Sequence, residues 1–329
     1  MFTFEQLHFS WLQVRAGSKS AGIDEISLEL FESNYIYELR KIESQIKDES
    51  YNSSPAKGFY VPKKNGGKRL IGISTVRDRV VQRLLLDELY FPLEDRFMDC
   101  SYAYRPGRNI QQAVQHLYRH YQYQPKWIIK TDIADFFDNI NWALLLNFLE
   151  KLGLESIVLQ LIEQQIKSGI IIKGQYQNAV KGLLQGGVLS GALANLYLTD
   201  FDRKCLKNNL NLIRYGDDFV ITCSSFAEAN KILDKISRWL GEVYLTIQPD
   251  KTEIFNPDDE FIFLGYRFAK GEVYAPPPPP PKLKGEWVIN DSGTRYFRPQ
   301  NRPYKFKSSP PKACDITKPT AFPRAAISH

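Results

Sequence analysis

Leu212-Ile213-Arg214-Tyr215-Gly216-Asp217-Asp218-Phe219-Val220-Ile221 is the stretch whose reading decides the fold. Ile213 and Tyr215 alternate before the glycine, and the run from Phe219 to Thr222 continues apolar after it. That pattern predicts an antiparallel hairpin lying on a core, with its turn at Gly216. The turn sets two carboxylates side by side. Two such charges about 4 Å apart repel by roughly 4 kcal/mol at an effective dielectric near 20, so a half-buried pair calls for a cation. Asp-Asp beside Gly is also ordinary turn chemistry, because Gly accepts positive φ and Asp bonds its own backbone. Taken alone, the pair leaves both readings open.

Outward from the pair, a third acid, Asp132, follows Trp127-Ile128-Ile129 and precedes Phe136-Phe137. It reads as an acid at a strand end or as a helix N-cap. Carboxylates are hard ligands, and His8, His116, His120 and His329 show no zinc spacing, so the donor types favour Mg²⁺ or Mn²⁺. Lys63-Lys64-Asn65-Gly66-Gly67-Lys68-Arg69 lies between Phe59-Tyr60-Val61 and Leu70-Ile71-Gly72-Ile73 and predicts a second hairpin with a basic turn. Such a turn suits phosphate, through charge-assisted contacts and the bidentate Arg fork, or is merely solvated. Helical periods run over residues 76–89, with Pro92 expected to end that helix or mark its exit, and over 110–121, 143–152, 156–166, 189–206 and 226–240. Strands are expected at 127–130, 212–222, 244–248 and 261–268. The fold class is therefore α+β.

With 329 residues and 43% hydrophobic content, the chain can bury a sizeable core and is long enough for more than one unit. Its apolar stretches fall far short of the roughly 20 residues of a membrane span. The first residues include Glu5 and lack the features of a signal peptide. A soluble, cytoplasmic protein without a membrane partner is expected. Cys100, Cys205, Cys223 and Cys314 show no close pairing, as buried or free thiols would. The net charge of +6 is uneven: residues 282–329 hold ten Lys or Arg against three acids, leaving 33 basic and 34 acidic residues in 1–281. Within that body, Lys57, Lys63, Lys64, Lys68, Arg69, Arg77, Arg79, Arg83, Arg105 and Arg108 gather, as polyanion binding requires, although a solvated face has the same one-dimensional pattern. Six prolines, Pro276 to Pro281, form an extended spacer. Beyond them Trp287, Tyr296, Phe297, Tyr304 and Phe306 interleave with Arg295, Arg298, Arg302, Lys305 and Lys307. This tail suits single-stranded nucleic acid, or is a disordered or partner-binding segment.

Gly22-Ile23-Asp24 and the segments 63–78, 102–108, 132–141, 185–190, 215–218, 249–252 and 263–268, in that order, resemble the successive blocks of bacterial group II intron-like reverse transcriptases. Within that family the chain is most similar to the CRISPR-associated enzymes linked to an adaptation integrase. The resemblance implies a right-hand polymerase with fingers and palm, an antiparallel palm sheet backed by helices, and a thumb absent or vestigial. Residues 1–125 would be mainly fingers, 126–275 mainly palm, 276–281 a polyproline spacer and 282–329 a basic aromatic tail. Asp132, Asp217 and Asp218 would be the catalytic acids holding two Mg²⁺ ions, or Mn²⁺, with Ile133 as a further ligand position. Lys68, Arg69, Phe136, Phe137, Gln185 and Lys251 would contact the nucleotide, Phe137 being the better match to the family's sugar gate. Arg105, Arg108, Tyr215, Leu264 and Gly265 would contact template or primer.

The implied activity is RNA-directed DNA polymerisation making DNA for CRISPR spacer acquisition. Its partners would be an RNA template, a DNA or RNA primer, deoxynucleoside triphosphates and the adaptation integrase. Two departures from the family pattern stand out: Gly191, where relatives carry proline, and Gly216, where many carry alanine. Tyr-Gly-Asp-Asp also occurs in viral RNA polymerases, so an RNA-dependent RNA polymerase is one alternative, opposed by the bulky Phe136-Phe137. A non-catalytic RNA-binding or scaffolding subunit is the other.

Overall fold

The computed structural model describes residues 2–62, 66–122 and 126–277, together with the backbone of two short strands in the tail. Helices come first: α1 (Phe4–Arg15), α2 (Leu28–Ser33) and α3 (Tyr35–Lys47). Thr3 and Gln6 cap α1 reciprocally, side chain to backbone, which fixes where the helix starts. The basic hairpin follows as β1 (Ala56–Pro62) and β2 (Lys68–Ile73), and then α4 (Val76–Glu94). Helix α4 runs past residue 89 and through Pro92, which marks its exit, to end at Glu94. A proline in the last turn removes one helical hydrogen bond, and the burial of Leu89 and Leu93 on either side of it offsets that loss.

Next come α5 (Ile110–Tyr121), β3 (Trp127–Asp132), α6 (Phe136–Asn139), α7 (Trp142–Glu150) and α8 (Ser156–Lys167). The chain then turns through β4 (Ile170–Ile172) and β5 (Gln175–Gln177) into α9 (Ser190–Lys207). The quoted hairpin is β6 (Asn211–Tyr215) and β7 (Asp218–Cys223), followed by α10 (Phe226–Gly241). A single 3-10 turn (Pro249–Lys251) leads to β8 (Glu253–Phe255), β9 (Phe261–Phe263), β10 (Tyr266–Ala269) and β11 (Glu272–Tyr274). In the tail, β12 (Gly285–Ile289) pairs antiparallel with β13 (Arg295–Pro299). The polyproline run from residue 278 onward, the rest of the tail, Cys314, Lys63 and Lys64 lie outside the described residues.

The palm sheet has strand order β6-β7-β3-β8, with every pair antiparallel. Its two faces meet different cores. Phe219 and Ile221 of β7 join the main core, built with α4 and α7 to α10, whereas Val220 joins a second core with α5 and the β9–β10 hairpin. Alternate residues of a strand point to opposite faces, so burial on both sides explains why Phe219-Val220-Ile221 is a continuous apolar run. The fingers sheet has order β2-β1-β4-β5 and is mixed, because β4 returns to run parallel to β1. Residues 244–248 do not form the expected strand. Tyr244 takes a left-handed φ of 57°, the Leu245 N–H donates back to the Leu240 carbonyl at 2.9 Å to close off α10, and only Ile247 bridges to Ile133. Among the described residues no helix is long and apolar enough to cross a membrane. Cys100, Cys205 and Cys223 are free and buried.

Candidate active site

In the β3–β7 ladder Asp132 lies opposite Asp218, so both side chains leave the same face of the sheet. Tyr215 pairs with Asp218 across the β6–β7 turn, leaving Gly216 and Asp217 as its two central residues. Gly216 has φ of 70° while Asp217 does not enter the left-handed region, the pattern of a hairpin turn that wants Gly at its first central position. The Ile133 N–H donates to the Asp217 carbonyl at 3.1 Å, and the Gln248 N–H donates to the Asp132 carbonyl at 2.7 Å. These bonds tie the turn and the end of β3 together.

The acids sense one another. Burial, above all, pushes Asp218 up to about 6; the charges of Asp132 and Asp217 add to this, against the pull of Lys130 and Lys251. Asp217 is also raised, first by burial and then by Asp132, with Lys251 and Arg69 opposing. Oxygen donors with this surplus of negative charge suit a hard divalent cation. Ile133 can offer only its backbone, since its hydrocarbon side chain has no donor atom and is packed in the core. Among the described residues no three acidic, His or Cys side chains close into a metal-binding cluster. Asp132 instead pairs with the Lys251 ammonium. An opposite charge at contact distance stabilises that carboxylate, whereas a third acid drawn against two half-desolvated ones would be repelled.

What holds the turn in place lies beneath it. Arg214 is fully buried and spends its guanidinium inside the protein: on both Asp202 oxygens at 2.8 and 2.6 Å, on Asn195 at 3.0 Å, on Ser101 at 2.8 Å and on the Gly216 carbonyl at 2.9 Å. Asn195 also donates to the Ala103 carbonyl at 2.6 Å, so it satisfies a buried polar site. No local pattern in the sequence marks this network. An arginine between Ile213 and Tyr215 looks like an outward-facing strand residue, and only its spacing to the turn hints otherwise.

The nucleotide-side residues divide. Lys68 and Arg69 on β2 are exposed, and the charge of Arg69 acts on Asp217, which brings the basic hairpin into electrical range of the acids. The Gly72 N–H donates to the Gln185 carbonyl at 3.3 Å, joining β2 to the loop before α9. Phe137 is half-buried, edge-on to Phe136 at 5.4 Å and to Tyr104 at 6.1 Å. Phe136 belongs to the main core and is withdrawn from the nucleotide set, because its ring is only 2% exposed.

Arg105 is a second correction. Its side chain, 3% exposed, pairs with Glu94 at 2.7 Å and donates to the carbonyls of Met98 and Ser101, so it is buried as an anchor of the 98–105 loop. Arg108 pairs with Asp99 at 2.7 Å and covers the Tyr102 ring. Much of the basic cluster is likewise spent internally: Arg79 on the carbonyls of Ser18 and Ser20, Arg77 on Gln45 and Arg83 on Asp87. Tyr215 packs beside the second core, where burial raises its phenol. Leu264 and Gly265 form a two-residue turn between Phe263 and Tyr266 with φ of 50° and 84°, both left-handed.

Tyr104 escaped the sequence reading. It also has left-handed backbone, φ 56°, and its ring lies beside Gly191, Gly216 and Phe137. Burial and then the Asp217 charge raise its phenol, which places it at the acids. Its only sequence signal is its place within the 102–108 block.

Fingers and palm with acids at the β6–β7 turn define a right-hand polymerase core. Residues 61–268, more than half of the chain, match the family described as "Reverse transcriptase (RNA-dependent DNA polymerase)", and the chain belongs to that family, whose members are RNA-directed DNA polymerases. It is 27% identical to "Protein YkfC" of Escherichia coli (strain K12), covering 77% of each chain. It is 31% identical to "Group II intron-encoded protein LtrA" of Lactococcus lactis subsp. cremoris, over 62% of this chain but only 34% of that one. In fold it is similar to telomerase from Candida albicans, solved with a fragment of telomeric RNA, with a TM-score of 0.54 at 13% identity over 76% of this chain and 50% of that one.

Proposed function

We propose that this chain copies RNA into DNA at the end of its palm sheet, with Asp132, Asp217 and Asp218 as the catalytic acids. The observation that carries the reading is the β3–β7 register, which faces Asp132 with Asp218 beside a turn whose second central residue is Asp217. Residues 1–125 serve mainly as fingers and 126–275 mainly as palm, although β4 and β5 are drawn into the fingers sheet. Two Mg²⁺ ions, or Mn²⁺, bound by these acids would supply activation of the primer 3′-hydroxyl and stabilisation of the leaving pyrophosphate. The protein's own groups do the rest. Asp217 and Asp218 carry the charge that attracts the cations, and Lys251 holds Asp132 until that charge is needed. Lys68 and Arg69 grip the triphosphate, Gln185 and the loop around it support the nucleotide, and the half-buried Phe137 ring bars a ribose 2′-hydroxyl. Tyr215 and the Leu264-Gly265 turn steady the primer end.

The decisive test is primer extension on an RNA template with deoxynucleotides and, separately, ribonucleotides. Deoxynucleotide incorporation is expected, with Asp217→Asn and Asp218→Asn each losing more than about 100-fold, beyond what an outer-shell partner of a metal contributes. Equal incorporation by the variants sinks the catalytic reading in favour of an RNA-binding subunit, and a ribonucleotide preference sinks the choice of DNA as product. The finer setting, DNA made from RNA for CRISPR spacer acquisition beside an adaptation integrase, is supported by the sequence resemblance. Failure of the purified chain to bind that integrase would remove it.

A further inference from the structure

We propose that Tyr104 is a positioning residue for nucleotide selection, seated against Gly191 so that its ring braces Phe137. The inference rests on the reading of Phe137 as the residue that bars the 2′-hydroxyl. A bulky residue at φ 56° is a backbone outlier, kept only where the surroundings over-determine it. The residue lies in a turn, and its hydroxyl makes no hydrogen bond among the described residues, so the ring is placed by packing. Tyr104 is 53% exposed, and its ring meets Phe137 perpendicularly, at 88° and 6.1 Å between centroids. Phe136 backs Phe137 at 5.4 Å, so Phe137 stands between a core ring and an exposed one.

One glycine makes room for the exposed ring. A Cβ at position 191, in the first turn of α9, would lie 2.5 Å from Tyr104 Cδ1 and 2.9 Å from its Cβ. A Cβ at Gly216 would lie 3.5 Å from Cε2, an ordinary contact, so the close approach is specific to Gly191. The base of the ring cannot retreat as the tip of a flexible chain would, so any side chain at 191 displaces Tyr104. The glycine at 191 and the aromatic at 104 therefore form one unit that sets how firmly Phe137 is held.

The test measures the ratio of kcat/KM for deoxynucleotide over ribonucleotide in primer extension, with melting curves to confirm folding. Tyr104→Gly removes the ring and relieves the backbone at once, so it is expected to fold and to lose about 10-fold of the ratio, a step of the size that pocket shape commonly gives. Tyr104→Phe should keep the wild-type ratio. Gly191→Ala should lower the ratio too, and should add nothing further in the Tyr104→Gly background, since contacting residues are not additive. An unchanged ratio in Tyr104→Gly, or a loss in Tyr104→Phe equal to that in Tyr104→Gly, overturns the role of Tyr104 alone. An unchanged ratio in Phe137→Ala overturns the gate and the brace together. A folded but inactive wild type overturns the polymerase reading itself, and this inference with it.

Discussion

The hairpin that carries the acids and the hairpin that carries the cations are both simple antiparallel pairs, yet their surroundings are opposite. In β7 every residue after Asp218 is buried, between two cores and above the buried Arg214. In β1 the side chains of Phe59, Tyr60 and Val61 are exposed, as are Lys68 and Arg69 on β2. The acids sit where packing puts them, at an electrostatic cost visible in their raised pKa values. The cations are solvated and make no such demand. One hairpin is therefore a fixed platform whose charge calls for a partner, and the other is a jaw that can meet a ligand at little structural expense.

The contrast breaks most sharply beneath the platform. Arg214→Met leaves Asp202 buried without its partner and should cost about 3–5 kcal/mol in urea denaturation, because an uncompensated buried charge is strongly destabilising. A loss below about 1 kcal/mol would mean that the turn is held by packing alone.

A smaller effect sharpens the claim of electrostatic cost. A carboxyl whose folded pKa is raised favours the folded state below its unfolded value, and that stability is lost as pH rises through the folded value. For Asp218 the window runs from the ordinary 3.8 to about 6. Asp218→Asn should therefore be more stable than the wild type at pH 7.5, on the order of 2 kcal/mol, with the gain vanishing toward pH 4. Added Mn²⁺ should raise the wild-type Tm at pH 7.5 and leave the variant's nearly unmoved. Parallel pH profiles for the two proteins would remove the penalty from the platform.

The smallest structural effect belongs to the jaw. Arg69→Ala should change stability by less than about 0.5 kcal/mol, as exposed positions commonly do, while KM for deoxynucleotide rises about 10-fold through a lost phosphate contact. A large fall in Tm with KM unchanged would reverse the contrast between the hairpins.

Legibility followed the range of the forces involved. Helix α5 spans the residues that its periodicity indicates, because its face and its Asn109 cap are local features. The Gly216 turn was equally plain, since a two-residue hairpin writes its requirement for positive φ into one position. Residues 244–248 misled because apolar alternation there serves a helix exit, and α4 outruns its periodic stretch because neighbouring leucines outweigh the bond missing at Pro92. Lone charges were the least readable: the exposed Arg69 acts on Asp217 through its charge, while Arg105, equally basic in the sequence, is buried against Glu94.

By itself, the sequence determined the α+β class and the two hairpins and singled out three acids, because turn chemistry and hydrophobic period act between near neighbours. Only the tertiary structure decided that β3 lies beside β7 with Asp132 facing Asp218, that Lys251 holds Asp132, that Arg214 anchors the turn from below, and that Tyr104 leans on Gly191. Each of these pairs except Arg214 with its turn joins residues far apart along the chain, and all of them depend on burial, which strengthens charge and forbids overlap only once the chain has packed.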